Sequence, residues 1–263
     1  MRRAAFTFAR RICIVGAVAC FASAAVAAGP KPDFSFKTKT VEISFTLGDK
    51  IKADPALAAD CLADGKKWAT ARRIDAEKMH KDSPESFSNG AWTFERTYSV
   101  RSVINGRYVS IVMGYYEYTG GAHPNRSADT VLWDRTAKKR ISIRPFFTET
   151  ADNGPTLNAM RQAAIASLKV EKKKRGADGS DLNLIEGIEP KLLGSGPVSL
   201  APSTEAGKSS GLTFHYAPYM VGSYAEGSYI AFVPWETLKP YLTPEGAAIF
   251  GGARPKDDDD GQR

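Results

Sequence analysis

His80, His123 and His215 are the only histidines in this 263-residue chain, and they are the first residues to weigh for chemistry. A zinc site needs three or four ligands at disciplined spacing, and no pair of these has the one-turn or alternate-residue separation that brings two rings to one metal. The sequence therefore predicts no metal site and no cofactor. His123 lies in a turn and is expected to hydrogen-bond that turn. Gly-x-Ser-x-Gly is absent, and the serines beside glycine, Ser195, Ser223 and Ser228, have no acid and base close by. Glu117 and Glu226 could approach one another as a glycosidase-type carboxylate pair. Glu117 alternates with tyrosines, however, and is expected on an exposed strand face. No catalytic residue is assigned.

The surplus lies in aromatic residues. Tyr115, Tyr116, Tyr118, Trp133, Tyr216, Tyr219, Tyr224 and Tyr229 are more than one small core can bury. Large rings with polar tips suit sugar faces and protein interfaces alike, because they present rigid area at low entropic cost.

The element that must position them is YYEYTGGAHPN, residues 115–125. Its tyrosines follow the alternating stretch GRYVSIVMG and call for an extended backbone. Gly120 and Gly121 then permit a sharp turn, and Pro124 holds His123 extended. At least one of the two glycines is expected at positive φ, and Gly121→Val is expected to destabilise the protein more than His123→Ala.

The rest of the chain supplies familiar elements. Phe34 to Leu47 alternates as one half-buried strand, and a helix runs from Pro55 to about His80 with Asp54 as its N-cap. Gly65 is expected to bend or divide that helix. Ala91 to Ile104 and Arg107 to Tyr118 form a hairpin around Asn105-Gly106. Thr130 to Asp134 and Lys139 to Ile143 form another. A second helix spans Pro155 to Val170 with one apolar stripe, and the following EKKKR is expected to be its solvated end. Gly211 to Tyr219 reads as a strand, and Gly222 to Val233 as a glycine-interrupted bend into the final strand, where Gly227 suits a bulge or a close backbone approach, before a short helix from Pro234 to Leu242. The fold class is α+β: an antiparallel sheet packed against two main helices.

The first 27 residues read as a signal peptide. Arg2, Arg3, Arg10 and Arg11 precede an alanine-rich apolar run and the small-residue site Ala25-Val26-Ala27. The expected mature N-terminus is Ala28 or Gly29, and the protein is expected in the periplasm or secreted. A second reading takes Ala17-Val18-Ala19-Cys20 as a lipoprotein signal with Cys20 lipidated. Without the four arginines the formal charge of +7 falls to about +3, which gives no reason to invoke nucleic acid. No later stretch is apolar enough to span a membrane. Cleavage also removes Cys13 and Cys20, and Cys61 alone forms no internal disulfide. It is expected as a small buried hydrophobe. The organisation is then a signal peptide (1–27), an N-terminal strand and helix (28–90), the main α+β domain (91–250) and a disordered acidic tail (251–263).

Three stretches in order carry a resemblance: YEYTGGAHPN at 116–125, VLWDRTAKKRISIRPFF at 131–147, and LTFHYAPYMVGSYAEGSYIAFVPWETLKPYL at 212–242. Over residues 90–242 the chain resembles the extracytoplasmic domain of RsiV-type lysozyme-sensing anti-sigma factors, also found N-terminal to some peptidoglycan deacetylases. The resemblance implies an exported, non-enzymatic α+β binding domain whose partner is a lysozyme-like protein or a peptidoglycan fragment. It places binding at the corner and at the Pro218–Gly227 bend, on Tyr116, Tyr118, His123, Asn125, Tyr219, Tyr224 and Glu226. Two departures stand out. Ala137-Lys138 occupies the hairpin position where the family has glycine, and neither an anti-sigma segment nor a deacetylase domain is recognised in the chain. The alternative is an envelope enzyme, a hydrolase or deacetylase acting on cell-wall glycan. Oligomeric state is not legible.

Overall fold

Residues 34–47 fold as two strands rather than one. β1 (Phe34–Lys37) and β2 (Val41–Leu47) pair antiparallel. Thr38 reverses the chain between them, its Oγ1 accepting from the backbone N–H of Thr40 and Val41. The apolar positions shift from even (Phe34, Phe36) to odd (Val41, Ile43, Phe45, Leu47) across this turn, a change of phase that the reading as one strand passed over. The computed structural model describes residues 31–177, 182–192 and 194–258, and all of these except Lys31 belong to the unit Pro32–Arg263. The expected signal peptide lies outside the described residues.

After a single turn, α1 (Asp49–Lys52), comes the 28-residue helix α2 (Pro55–Asp82). Asp54 caps it by accepting from Leu57 N–H at 3.2 Å. Gly65 does not divide it. A Cβ there would sit 2.8 Å from the Phe45 ring, so this glycine lets helix and sheet approach closely. The helix carries the chain back so that β2 pairs parallel with β3 (Trp92–Ile104). A parallel pair requires such a crossover. The sheet is therefore mixed rather than antiparallel, and segments on both sides of residue 91 share it.

β3 returns as β4 (Tyr108–Tyr118) through Asn105 and Gly106, whose φ values of 48° and 65° are those of the tight hairpin expected from the sequence. β4 pairs with β5 (Asn125–Asp134), which starts immediately after the His-Pro corner, earlier than Thr130. The corner is thus the loop of a long hairpin. β6 (Lys139–Ile141) completes the six-stranded sheet, in sequence order. Lys138 takes a φ of 50° in the β5–β6 turn, where glycine would meet no steric penalty.

The chain continues as α3 (Pro155–Lys174), α4 (Leu182–Glu186), β7 (Val198–Leu200), β8 (Gly211–Tyr216), β9 (Tyr229–Pro234), α5 (Trp235–Leu238) and α6 (Pro244–Ile249). β7, β8 and β9 form a second, antiparallel sheet that the sequence did not announce. β8, expected as a strand, is buried on both faces along its whole length, and β7 is only three residues long. Packing gives three layers. α2 covers one face of the large sheet through Leu57 and Cys61 against Phe45, Tyr98 and Ile111. The second sheet and α3 form a separate core with Tyr108 and Leu132, which face the other way. Cys61 is fully buried, as expected, and burial pushes its thiol up to about 12.

The C-terminal stretch differs from the expected disordered tail over 251–258. The Asp258 side chain is 3% exposed and accepts from both Arg101 and Arg254. Residues 259–263 lie outside those described. No helix among the described residues is long and apolar enough to cross a membrane.

Candidate binding cleft

The second sheet covers only part of the large sheet's face. Along β4, Ser110 lies under it, its Oγ accepting from Leu200 N–H, while Ser102 on β3 donates to Leu200 O. These two serines pin β7 across the hairpin. Farther along, Val112, Gly114 and Tyr116 share that face with Glu95, Thr97 and Ser99, and there a cleft opens. Its opposite wall comes from the segment after β8: Pro218, Tyr224, Gly227 and Ser228. The cleft holds about 870 Å³, within the ordinary range of small-molecule sites, about 300–1,000 Å³.

A local irregularity shapes the floor. The β3–β4 register slips between Val100 and Ser102, which leaves Arg101 as an extra, bulged residue. Its guanidinium reaches Asp258 with two hydrogen bonds, one of 2.8 Å. Behind the sheet, Arg96 is buried between the rings of Trp68 and Tyr115, at 4.4 and 4.6 Å, and pairs with Asp64 at 2.8 Å. Tyr98 OH donates to the same Asp64 oxygen. This network ties α2 to the strands beneath the cleft.

The corner and the 217–228 segment, expected to act together, are in contact. His123 stacks on Tyr224 with centroids 3.8 Å apart and planes at 22°. Tyr224 OH donates to Pro124 O at 2.6 Å, and the Nδ1–H of His123 donates to the same carbonyl at 3.2 Å. Tyr219 lies 5.6 Å beyond Tyr224 and is 58% exposed, with its backbone in the left-handed region at φ 72°. On the sheet side Arg126 sits 5.1 Å over the Tyr116 ring. Gly120 has φ +83°, and its carbonyl accepts from Asn89 Nδ2 at 2.8 Å. Gly121 has no left-handed φ, and a Cβ there would meet nothing within 4 Å. The expected sensitivity of Gly121 therefore passes to Gly120.

Of the seven residues expected to bind, Tyr116 and Tyr224 line the cleft, and His123 and Tyr219 flank Tyr224. Tyr118 and Asn125, opposite Thr93 and Glu117, are not among the lining residues. Glu226 is a support. Its carboxylate accepts from Lys172 Nζ at 2.7 Å, from Tyr229 OH, and from Ser223 N–H at 3.0 Å. Lys172 is fully buried, contrary to the solvated basic end expected after residue 170. Arg175 adds hydrogen bonds to Glu226 O and Ser228 O. The end of α3 thereby fixes the base of the 217–228 segment, while Tyr219 and Met220 at its tip face solvent.

Glu226 is thus committed to the end of α3, and Glu117 sits in the strand pairs with Phe94 and Asn125. Among the described residues lining the cleft, Glu95 is the single carboxylate. Nor, among the described residues, do three or more His, Cys, Asp or Glu side chains gather as metal ligands would. What the cleft offers is aromatic faces, the hydroxyls of Thr97, Ser99, Ser127 and Ser228, and the Arg126 guanidinium. Glu95, Thr97 and Ser99 were legible as the polar half of TFERTYS. Arg101 was not, because nothing in the local pattern marks the bulge.

Residues 37–126 match the family model of the deacetylase PdaC. The matched stretch runs from the first hairpin through the corner and so contains one wall of the cleft. Among solved structures, the chain is similar to a DUF3298 family protein from Pseudomonas aeruginosa PAO1, at 18% identity and TM-score 0.48, covering 80% of this chain and 87% of that one. It is also similar to a DUF3298 family member from Bacteroides fragilis NCTC 9343, at 16% identity and TM-score 0.48, covering 82% and 94%. No curated protein matches the chain.

Proposed function

We propose that this protein is a non-enzymatic binding domain of the bacterial cell envelope, and that its cleft takes a peptidoglycan-type glycan fragment. The observation that carries the reading is the pairing of Tyr116 on one wall with Tyr224 on the other, around a floor of hydroxyl side chains. Sugar rings present an apolar face to stack on such rings and a hydroxyl edge to hydrogen-bond. The leader-like first 27 residues and the similarity to a deacetylase-associated family model support an envelope setting. A lone carboxylate supports binding over glycan hydrolysis, which uses two.

A second reading, recognition of a lysozyme-like protein, draws on exposed Tyr219 and Met220. Calorimetric titration with N-acetylglucosamine trimer, muramyl dipeptide and lysozyme separates the two. Glycan affinity is expected to fall at least about tenfold, or about 1.4 kcal/mol, in Tyr116→Ala and Tyr224→Ala. Lysozyme binding lost in Tyr219→Ala but kept in Tyr116→Ala would favour the protein partner. Product release from glycan that disappears in Glu95→Gln would instead establish an enzyme.

A further inference from the structure

Glu95, Tyr116 and Arg126 stand in one row across the sheet side of the cleft. The β3–β4 register sets Glu95 opposite Tyr116, and the β4–β5 register sets Tyr116 opposite Arg126. Residues paired in this way share a face of the sheet, and all three line the cleft. Two strand spacings, about 10 Å, separate the ends of the row. Acid, ring and base thus follow one another along it. Arg126 also differs from Arg101, the other arginine of the cleft, which is bonded twice to Asp258. Arg126 is exposed, its guanidinium has no hydrogen bond or ion pair among the described residues, and it lies 5.1 Å from the centroid of the Tyr116 ring. We propose that Arg126 reads a carboxylate on the ligand, so that the glycan taken by the cleft is an acidic one, lying across Tyr116 with its anionic end towards β5. The proposal rests on the glycan reading of the same cleft and adds the charge and the direction of the ligand to it.

Three features select that chemistry. A guanidinium presents parallel N–H donors that match the two oxygens of a planar carboxylate. Attraction to the Tyr116 ring holds the guanidinium at the cleft before a ligand arrives, which lowers the side-chain entropy lost on binding. At the far end of the row Glu95 repels an anion but accepts from a sugar hydroxyl or an amide N–H, so only one direction of an acidic sugar matches both ends. The next row gives the sugar room. Gly114 lies there beside Thr97, and a Cβ on it would sit 2.9 Å from Thr97 Oγ1, so the strand surface next to Tyr116 is free of a side chain where a ring can approach. One guanidinium opposite one carboxylate suits a single negative charge. A phosphate monoester, at about −1.5 to −2, calls for more positive charge than Arg126 supplies.

The test is calorimetric titration of residues 28–263 with two ligand pairs. The first is N-acetylglucosaminyl-N-acetylmuramic acid, whose lactyl carboxylate is free, against its methyl ester. The second is muramyl dipeptide, whose carboxylate is on the peptide, against its methyl ester. In at least one pair the acid is expected to bind at least about fivefold tighter than the ester, the upper range for a solvent-exposed ion pair and within reach of a bidentate one. The pair that shows the preference tells which carboxylate is read. In Arg126→Gln the preference is expected to disappear, with the acid falling to the level of the ester and the ester binding within about twofold of the parent protein. Retained ester binding also shows that the variant keeps its cleft. Equal affinity for acid and ester in both pairs, or a preference that survives Arg126→Gln, overturns the role of Arg126 and leaves the glycan reading intact. Equal loss of acid and ester in Arg126→Gln makes Arg126 a support for Tyr116 and likewise overturns the proposal. Absence of binding by all four ligands overturns both readings.

Discussion

Gly120→Ala is the sharpest probe of the corner. With φ at +83°, an added Cβ costs on the order of 1 kcal/mol from backbone conformation alone. It would also lie 2.9 Å from Ser86 O, a backbone oxygen in the short turn Pro84–Phe87 that cannot swing aside as a side chain could. The same oxygen accepts from Trp92 Nε1 at 3.3 Å, and the adjoining Asn89 holds Gly120 O at 2.8 Å. Moving the turn disturbs both bonds, each worth about 0.5–1.5 kcal/mol. The expected total is about 2–3 kcal/mol, a drop of about 5–10 °C in Tm for a domain of this size. Gly121→Ala is the matched control. Its Cβ enters open space with no left-handed φ, so the change is expected to be neutral or stabilising by up to about 1 kcal/mol, through lower entropy of the unfolded chain. Thermal melts followed by circular dichroism, with urea denaturation for the free energies, give both numbers. Equal losses in the two variants would refute the assignment of the corner's geometry to Gly120.

Two further outcomes follow from buried titratable groups. His215 has a folded pKa of about 4 against an ordinary 6.5, so between those values the unfolded chain takes up a proton that the folded chain refuses. Its contribution is present above pH 6.5 and is lost as pH falls towards 4, by about 3 kcal/mol in all; urea denaturation at pH 7.5 and 4.5 should show most of this loss, and His215→Gln should flatten it. Lys172→Met removes the buried ammonium paired with Glu226 and leaves that carboxylate only its neutral donors, Tyr229 OH and Ser223, and is expected to cost about 3–5 kcal/mol. Lys174→Met, two residues on but 70% exposed, is expected to change stability by no more than about 0.5 kcal/mol in the same assay.

The sequence by itself determined the local elements and the turn residues between them. Asp54 before Pro55, Asn105-Gly106, and Gly120 in the corner each specify backbone geometry through their own sterics and hydrogen bonds, without help from distant parts of the chain. Tyr116, His123 and Tyr224 were grouped only through a resemblance, and the structure brings the two stretches that carry them into contact. Tertiary structure decided the rest. The parallel β2–β3 pairing depends on where α2 delivers the chain, and the second sheet depends on the packing of β8, whose alternation marks a strand but whose burial on both faces is set by elements far away in the chain. Lys172 reads as one lysine in a basic run until Glu226 and Tyr229 enclose it. His215 reads as an isolated histidine until the fold buries it, with one ring nitrogen on Ser199 and the other buried without a partner among the described residues. Burial and partnership belong to residues far apart in the chain, and no local pattern encodes them.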